Sequence, residues 1–200
     1  VLIHSHPRNA NIEPLIAEDM DKIMRFLQAR KLSLNMSKTV FMTFHSPYKI
    51  PQCTDKILIN NSLVLSKVSS FKYLGLYLDS ALTFSLHTQK IEKKIASAVG
   101  VLWKLRRDLP LRYREMIYDS LIQSHLNYLV VCWGSANHNA INRLQILQNR
   151  AIRNVYHLNY LHNRCDMYTK HKKLPIRGNC LLRTALMVYS SYNNLNHNSL

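Results

Sequence analysis

The residue types best placed to do chemistry in this chain are cationic. Between positions 90 and 114 stand Lys90, Lys93, Lys94, Lys104, Arg106, Arg107, Arg112 and Arg114. Between 143 and 183 stand Arg143, Arg150, Arg153, Arg164, Lys170, Lys172, Lys173, Arg177 and Arg183, with Asp166 as the acid among them. Across all 200 residues, 27 Lys and Arg face 11 Asp and Glu, a formal charge of +16. An excess of that size, unevenly spread, points to a polyanionic partner, either nucleic acid or an anionic membrane. Helices that are greasy on one face and basic on another suit a clamp that tracks a phosphate backbone without reading sequence. For any single lysine, a solvated surface position is the ordinary alternative.

Other chemistries find little support. Two-metal catalysis needs paired carboxylates. Asp19 and Asp21 point apart on a helix, and Asp55, Asp79, Asp108, Asp119 and Asp166 are isolated, so no two-metal site is expected inside the chain. His162, Cys165, His171 and Cys180 are spaced by three, six and nine residues, which matches no common zinc finger or knuckle. The four glycines, Gly75, Gly100, Gly134 and Gly178, form no phosphate-cradling loop. Cys53, Cys132, Cys165 and Cys180 are scattered without a CxxC pair, which fits a reducing, intracellular setting, nuclear or cytoplasmic. No membrane span is expected, because the longest candidate, Leu121–Gly134, is broken by Gln123, His125 and Asn127. Neither is a signal peptide, and the chain, opening on Val1 rather than Met, reads as a piece of something longer.

The elements that must carry the basic faces follow from periodicity. Val1–His4 reads as a short strand ended by Pro7 and Asn9. Asn11 and Pro14 open a helix whose apolar face is Ile12, Leu15, Ile16, Met20, Ile23 and Leu27. Lys31–Phe44 alternates with a period of two and reads as strand, with a break near Ser37-Lys38. Pro47–Thr54 is a loop, and Ile57–Ile59, an Asn60-Asn61 turn and Leu63–Leu65 make a hairpin. Ser69–Asp79, SSFKYLGLYLD, reads as a strand whose Gly75 admits the close approach of another backbone or a ligand.

Beyond it the period becomes helical. Leu86, Ile91, Ile95, Ala98, Val99, Leu102 and Leu105 form one face of a helix ended by Pro110. A second helix from Leu111 carries Tyr113, Met116, Ile117, Ser120, Leu121 and Ser124, with a kink allowed before Tyr128–Trp133. A third runs over Asn139–Tyr156, with Arg143, Arg150 and Arg153 outward; the three read as a bundle. Arg164–Arg177 reads as a basic loop, Asn179–Tyr192 as a last helix, and Asn193–Leu200 as a frayed end. The class is α+β followed by helices, with the boundary near Ser80–Ser85.

Several stretches carry a family resemblance. Phe26–Thr39 reads FLQARKLSLNMSKT, with an N-x-x-K-T core at Asn35, Lys38 and Thr39. Lys72–Asp79 reads KYLGLYLD, Ile117–Gly134 reads IYDSLIQSHLNYLVVCWG and Leu144–Ile152 reads LQILQNRAI, while Leu174-Pro175-Ile176 adds a shorter match. In this order they resemble the reverse transcriptases of non-LTR, LINE-like, jockey-type retrotransposons. The resemblance implies a partial palm over 1–82, made of a helix, short antiparallel strands and a primer-grip-like hairpin. It implies a helical thumb-like bundle over 83–160 and a basic connecting segment with one helix over 161–200.

It further implies an RNA/DNA template–primer duplex as partner. The candidate contacts are Lys38, Lys72, Tyr73, Leu74, Gly75, Lys90, Lys93, Lys94, Lys104, Arg106 and Arg107. Tyr73, Leu74 and Gly75 would hold the primer end. Lys38 would sit near the departing pyrophosphate, or be no more than a strand-edge charge. The parent reaction uses two Mg²⁺ ions on palm carboxylates; by resemblance Val1–Ser5 follows the strand pair that bears them. Those carboxylates, the fingers and most of the palm are absent here, so the chain itself implies no cofactor and no catalysis, and the missing N-terminal portion becomes a further partner. The alternatives are a non-catalytic basic helical nucleic-acid-binding module and a retroelement remnant without function.

Overall fold

In a computed structural model, residues 2–3, 13–35, 38–46, 48, 56–59 and 63–193 are described. Helix and strand are mixed, and the chain forms two compact units. The first comprises Val1–Phe71 with Asp79–Leu82, the second Lys72–Leu78 with Thr83–Leu200.

The first unit is one helix and a small sheet. α1 (Glu13–Ala29) presents Ile16, Met20, Ile23 and Met24 to the sheet at three- and four-residue steps. β2 (Lys56–Ile59) and β3 (Leu63–Lys67) are antiparallel, with Ile57 opposite Leu65, as the hairpin reading expects. β1 (Val40–Phe41) lies parallel to β3, giving the order β1-β3-β2. The sheet is therefore not wholly antiparallel. Its core is Met20, Ile57 and Leu65, with Leu34 and Phe41 partly buried beside them.

The alternating stretch Lys31–Phe44 forms much less strand than its pattern suggests. Among its described residues only Val40 and Phe41 pair with another strand, because alternation makes a strand possible but a ladder partner makes it real. The N-x-x-K-T segment is a local turn instead: the Asn35 carbonyl accepts from Lys38 N (3.1 Å) and from Thr39 Oγ1 (2.8 Å). Of the strand expected over Val1–His4, Leu2 and Ile3 are described, and both are exposed and outside any strand. The Asn11 cap, the Pro47–Thr54 loop apart from Tyr48, the Asn60-Asn61 turn and the frayed end after Asn193 lie outside the described residues.

The stretch Ser69–Asp79 is a hairpin, not one strand. β4 (Ser70–Tyr73) and β5 (Leu76–Asp79) pair across a turn at Leu74-Gly75. Both turn residues have positive φ, 45° and 85°, the signature of the type I′ turn that matches strand twist. A Leu-Gly pair is a poor advertisement for such a turn, which is why the pattern reads as continuous strand.

The second unit is built on α2 (Ser85–Leu105) and α6 (His138–Tyr156). Ile91, Ile95, Ala98 and Leu102 of α2 meet Ile141, Leu144, Ala151, Ile152 and Val155 of α6. Leu105, expected inward, is 37% exposed. α3 (Leu111–Tyr118) runs into a π-helical turn over Asp119–Gln123, then α4 (Ser124–Asn127) and α5 (Val130–Trp133). The expected kink is thus a wide turn followed by a break at Tyr128-Leu129, where Leu129 is left-handed (φ 49°). Ser120 Oγ donates to the Met116 carbonyl (2.7 Å) and Ser124 Oγ to the Ser120 carbonyl, competition that loosens the helical ladder. The inward stripe is Arg114, Tyr118, Ile122 and Leu126; Tyr113, Met116 and Leu121 are exposed.

Arg164–Arg177 is not a loop throughout. α7 (Arg164–Lys170) is capped by the Asn163 side chain on Cys165 N (3.0 Å) and buries Met167 and Tyr168. A buried amide network then fixes the C-terminal segment to α6. Gln145 Nε2 donates to Tyr168 Oη (2.6 Å), Gln148 Nε2 to the Leu174 carbonyl (3.0 Å), and Gln145 Oε1 accepts from Ile176 N at the start of α8 (Ile176–Tyr192) (3.0 Å). Much of α8 is bare: Leu181, Leu186, Met187, Val188, Tyr189 and Tyr192 are all more than half exposed.

Candidate nucleic-acid interface

The second unit gathers several of the sequence-singled residues around the hairpin tip. Lys72 Nζ lies 5.7 Å from the centroid of the Tyr77 ring, and Lys90 Nζ, on the first turns of α2, lies 6.0 Å from the same ring. Lys94, one turn beyond Lys90, is close enough to His87 and His125 to disfavour their protonation. Two ammonium groups thus converge where the hairpin meets α2, with Lys94 one helical turn away. Among the described residues none of them forms an ion pair; the nearby acid Glu92 is engaged by Arg143 (3.0 Å). An aromatic face steadies a cation without neutralising it, so the cluster keeps its capacity for an external anion.

The hairpin tip is held from both sides. Tyr128 Oη donates to the Leu74 carbonyl, and the Tyr128 ring packs on Gly75, where a Cβ would come within 3.3 Å of it. On the other strand Tyr77 N donates to His87 Nδ1 (3.4 Å). Trp133, fully buried, ties the two anchors together: its Nε1 donates to the Tyr128 carbonyl (2.7 Å), and its ring centroid lies 5.9 Å from that of His87. Burial first, and the Lys94 charge second, push the His87 pKa below its ordinary 6.5. The neutral ring is also what an Nδ1 acceptor requires. Tyr73 and Leu74 are exposed, Leu74 to 70%, with Gly75 beside them at the tip.

Farther along α2 a second basic group stands. Lys104 lies close to four helical turns beyond Lys90, about 21 Å at 1.5 Å per residue. Lys104 and Arg107 are exposed, while Arg106 leans over the Trp103 ring (5.3 Å) and reaches Asn154 Oδ1 (3.5 Å). Lys93 is exposed beside Gln89, Glu92 and Ala96 on the rim of a shallow depression. Lys38, exposed on the Asn35 turn, belongs to the first unit. Among the described residues no group of three or more His, Cys, Asp or Glu stands together to hold a metal ion. No helix among them is long and apolar enough to cross a membrane.

Arg114 was read as part of the basic surface, yet it is 7% exposed. Its Nη1 donates to the Asn154 carbonyl (3.4 Å) near the C-terminal end of α6, where the helix dipole favours a cation. Arg153, expected outward, is half-buried, with its guanidinium over the Tyr160 ring (5.2 Å). Sequence reasoning missed Tyr77, His87, Tyr128 and Trp133 as a set, because their contacts span long separations that no local pattern encodes.

Comparison with known proteins places the chain beside the RNA-directed DNA polymerases of non-LTR retrotransposons. In particular, it is 29% identical over 150 residues to the RNA-directed DNA polymerase from mobile element jockey of Drosophila funebris, a match spanning 70% of this chain and 16% of that protein. It is 30% identical over 121 residues to the probable RNA-directed DNA polymerase from transposon BS of Drosophila melanogaster, spanning 56% of this chain and 13% of that one. The probable RNA-directed DNA polymerase from transposon X-element of the same fly is 35% identical over 85 residues, 41% of this chain and 9% of the relative. These likenesses bear out the resemblance seen in the sequence. The matched stretches span about a sixth or less of the curated relatives. No family model and no solved structure matches the chain.

Proposed function

We propose that this chain is the template–primer-gripping part of a retrotransposon reverse transcriptase. In this reading residues 1–82 complete a palm, 83–160 form a thumb-like bundle and 161–200 a connecting segment. The observation that carries it is the convergence of the Lys72 and Lys90 ammonium groups on Tyr77, with Lys94 nearby, beside an exposed hairpin turn. Two cations held close together and unpaired among the described residues repel each other, and a phosphate between them relieves that repulsion. Tyr73, Leu74 and Gly75 would lie against the primer end, and Lys93, Lys104, Arg106 and Arg107 would follow the duplex along α2. Lys38 would serve from the palm side near the pyrophosphate. Mg²⁺ and its carboxylates would come from polymerase segments outside these 200 residues, so the chain alone would bind and not polymerise. The large core of the helical unit also supports the second reading, a self-standing binding module.

Binding of the 200-residue chain to an RNA–DNA hybrid, measured by fluorescence anisotropy across a salt series, tests the proposal. Each phosphate contact adds about 0.9 to the slope of log K against log salt for a duplex. Lys72→Ala with Lys90→Ala is therefore expected to flatten the slope by about 2. Absent duplex binding, or an unchanged slope in the double variant, overturns the assignment.

A further inference from the structure

We infer that Tyr128, Trp133 and His87 form a latch that sets the hairpin turn in its binding geometry, with Tyr128 as the positioning residue. The inference rests on the gripping role proposed above and adds what controls it. Leu74 is a non-glycine residue in the left-handed region (φ 45°), a conformation that crowds the Cβ of an L-residue against the following carbonyl oxygen. Something must hold it there, and its own side chain does not, being 70% exposed. The hold comes through the backbone: Tyr128 Oη donates to the Leu74 carbonyl, while the flat ring fills the space beside Gly75 that a side chain would occupy.

Tyr128 can do this because it sits at the break between α4 and α5. Its extended backbone (ψ 117°) and the left-handed Leu129 turn it out of the helix toward the hairpin. Trp133 fixes that break by donating Nε1–H to the Tyr128 carbonyl and, being fully buried, cannot shift without disturbing the core. Its ring lies beside His87, which holds the second strand at Tyr77 N. The ring flanked by Lys72 and Lys90 belongs to that same Tyr77. The latch therefore fixes the turn and the cation cluster together, although Tyr128 itself carries no charge to offer a phosphate.

Removing the latch should change how often the site is formed, not how many phosphates it neutralises. The Tyr128→Phe variant keeps the ring and loses the hydroxyl. In the 200-residue chain it is expected to speed amide exchange in the hairpin about tenfold, leaving exchange in α2 and α6 unchanged. Affinity for the RNA–DNA hybrid should fall, at an unaltered salt slope, only by the factor by which the formed fraction of the hairpin falls. Gly75→Ala, which sets a methyl against the ring, should loosen the hairpin likewise. Unaltered hairpin exchange in both variants overturns the latch, whatever the chain binds. Faster exchange with no hybrid binding by the parent chain keeps the latch as a device of the fold and removes the gripping role. A flattened salt slope in Tyr128→Phe overturns the positioning role, because it marks a lost phosphate contact.

Discussion

The two units of this chain are unequal in what they bury. The second has a core cluster of nineteen buried apolar residues, from Leu76 to Ile176, whereas the first has Met20, Ile57 and Leu65 among its described residues. The first also leaves apolar side chains in water: Phe26 and Leu32 are 56% exposed, and Val64 is 44% exposed. Each buried Leu, Ile or Met side chain contributes about 1.5–3 kcal/mol against a conformational cost of ~1–2 kcal/mol per ordered residue. Among the described residues the first unit's core is small, whereas the helical unit has a core on the scale of an independent domain. The lesson is that a strand needs a ladder and a cover to persist. The helices satisfy their own backbones and find each other within this chain.

Substitution should exaggerate this inequality. Trp133→Ala removes the largest fully buried side chain of the second unit and is expected to cost it about 3–5 kcal/mol. In a urea titration followed by circular dichroism the main helical transition should collapse toward zero denaturant. Met20→Ala should leave that transition where it was. If both variants shift one common transition equally, the units are a single cooperative body and the contrast is broken.

A smaller loss, about 1–3 kcal/mol, is expected of Arg114→Ala, which strips the α6 end of its buried cationic donor. Arg107→Ala, an exposed neighbour of equal charge, should change stability by less than about 0.5 kcal/mol. Equal effects from the two arginines would show that charge, not burial, sets their worth.

The smallest expected effect is a pH dependence confined to the second unit. The folded pKa of His87 lies below 6.5, so on acidification the unfolded chain takes up the proton first. The stabilising share of neutral His87 is whole above about 6.5 and is lost as pH falls through the folded value. His125 is lowered for the same two reasons, burial and the Lys94 charge, and adds to the slope in the same sense. His87→Asn keeps an acceptor near Tyr77 N and has nothing to protonate. The urea midpoint of that variant should fall less steeply between pH 7 and 5 than that of the parent chain. Matching slopes would remove His87 from the account.

How much of this was legible depends on the range of the interaction concerned. The approximate spans of α1, α2 and α6 follow from apolar period and, for α2, from Pro110, all local signals; α8, expected from Asn179, begins three residues earlier, at Ile176. The hairpin of β2 and β3 was equally plain. What failed was non-local. Lys31–Phe44 alternates properly, but only two of its described residues find a neighbouring strand. The Leu74-Gly75 turn carries no Asn-Gly signal, because its support comes from Tyr128, far along the chain. Arg114 reads as surface because arginine is seldom buried, and only the carbonyl end of α6 makes an exception possible. Lys90 and Lys94 were singled out for charge and Lys72 through the family resemblance; the ring that gathers two of them was not visible until the chain was folded.

The wide turn at Asp119–Gln123 has a consequence for how this chain tolerates change in length. A π-helical turn holds one residue more than the α-helical turn it replaces. Deleting a single residue there would restore a regular helix at no cost to its hydrogen bonding. Because the residue lost is the extra one, the helix downstream would keep close to its present facing around the axis. Ile122 and Leu126 would still point to the core, and Tyr128 would still face Leu74. Lineages carrying such sequences should therefore exchange side chains freely at Ser120 and Leu121, both exposed, and should lose a single codon between 119 and 123 more readily than one inside α2 or α6.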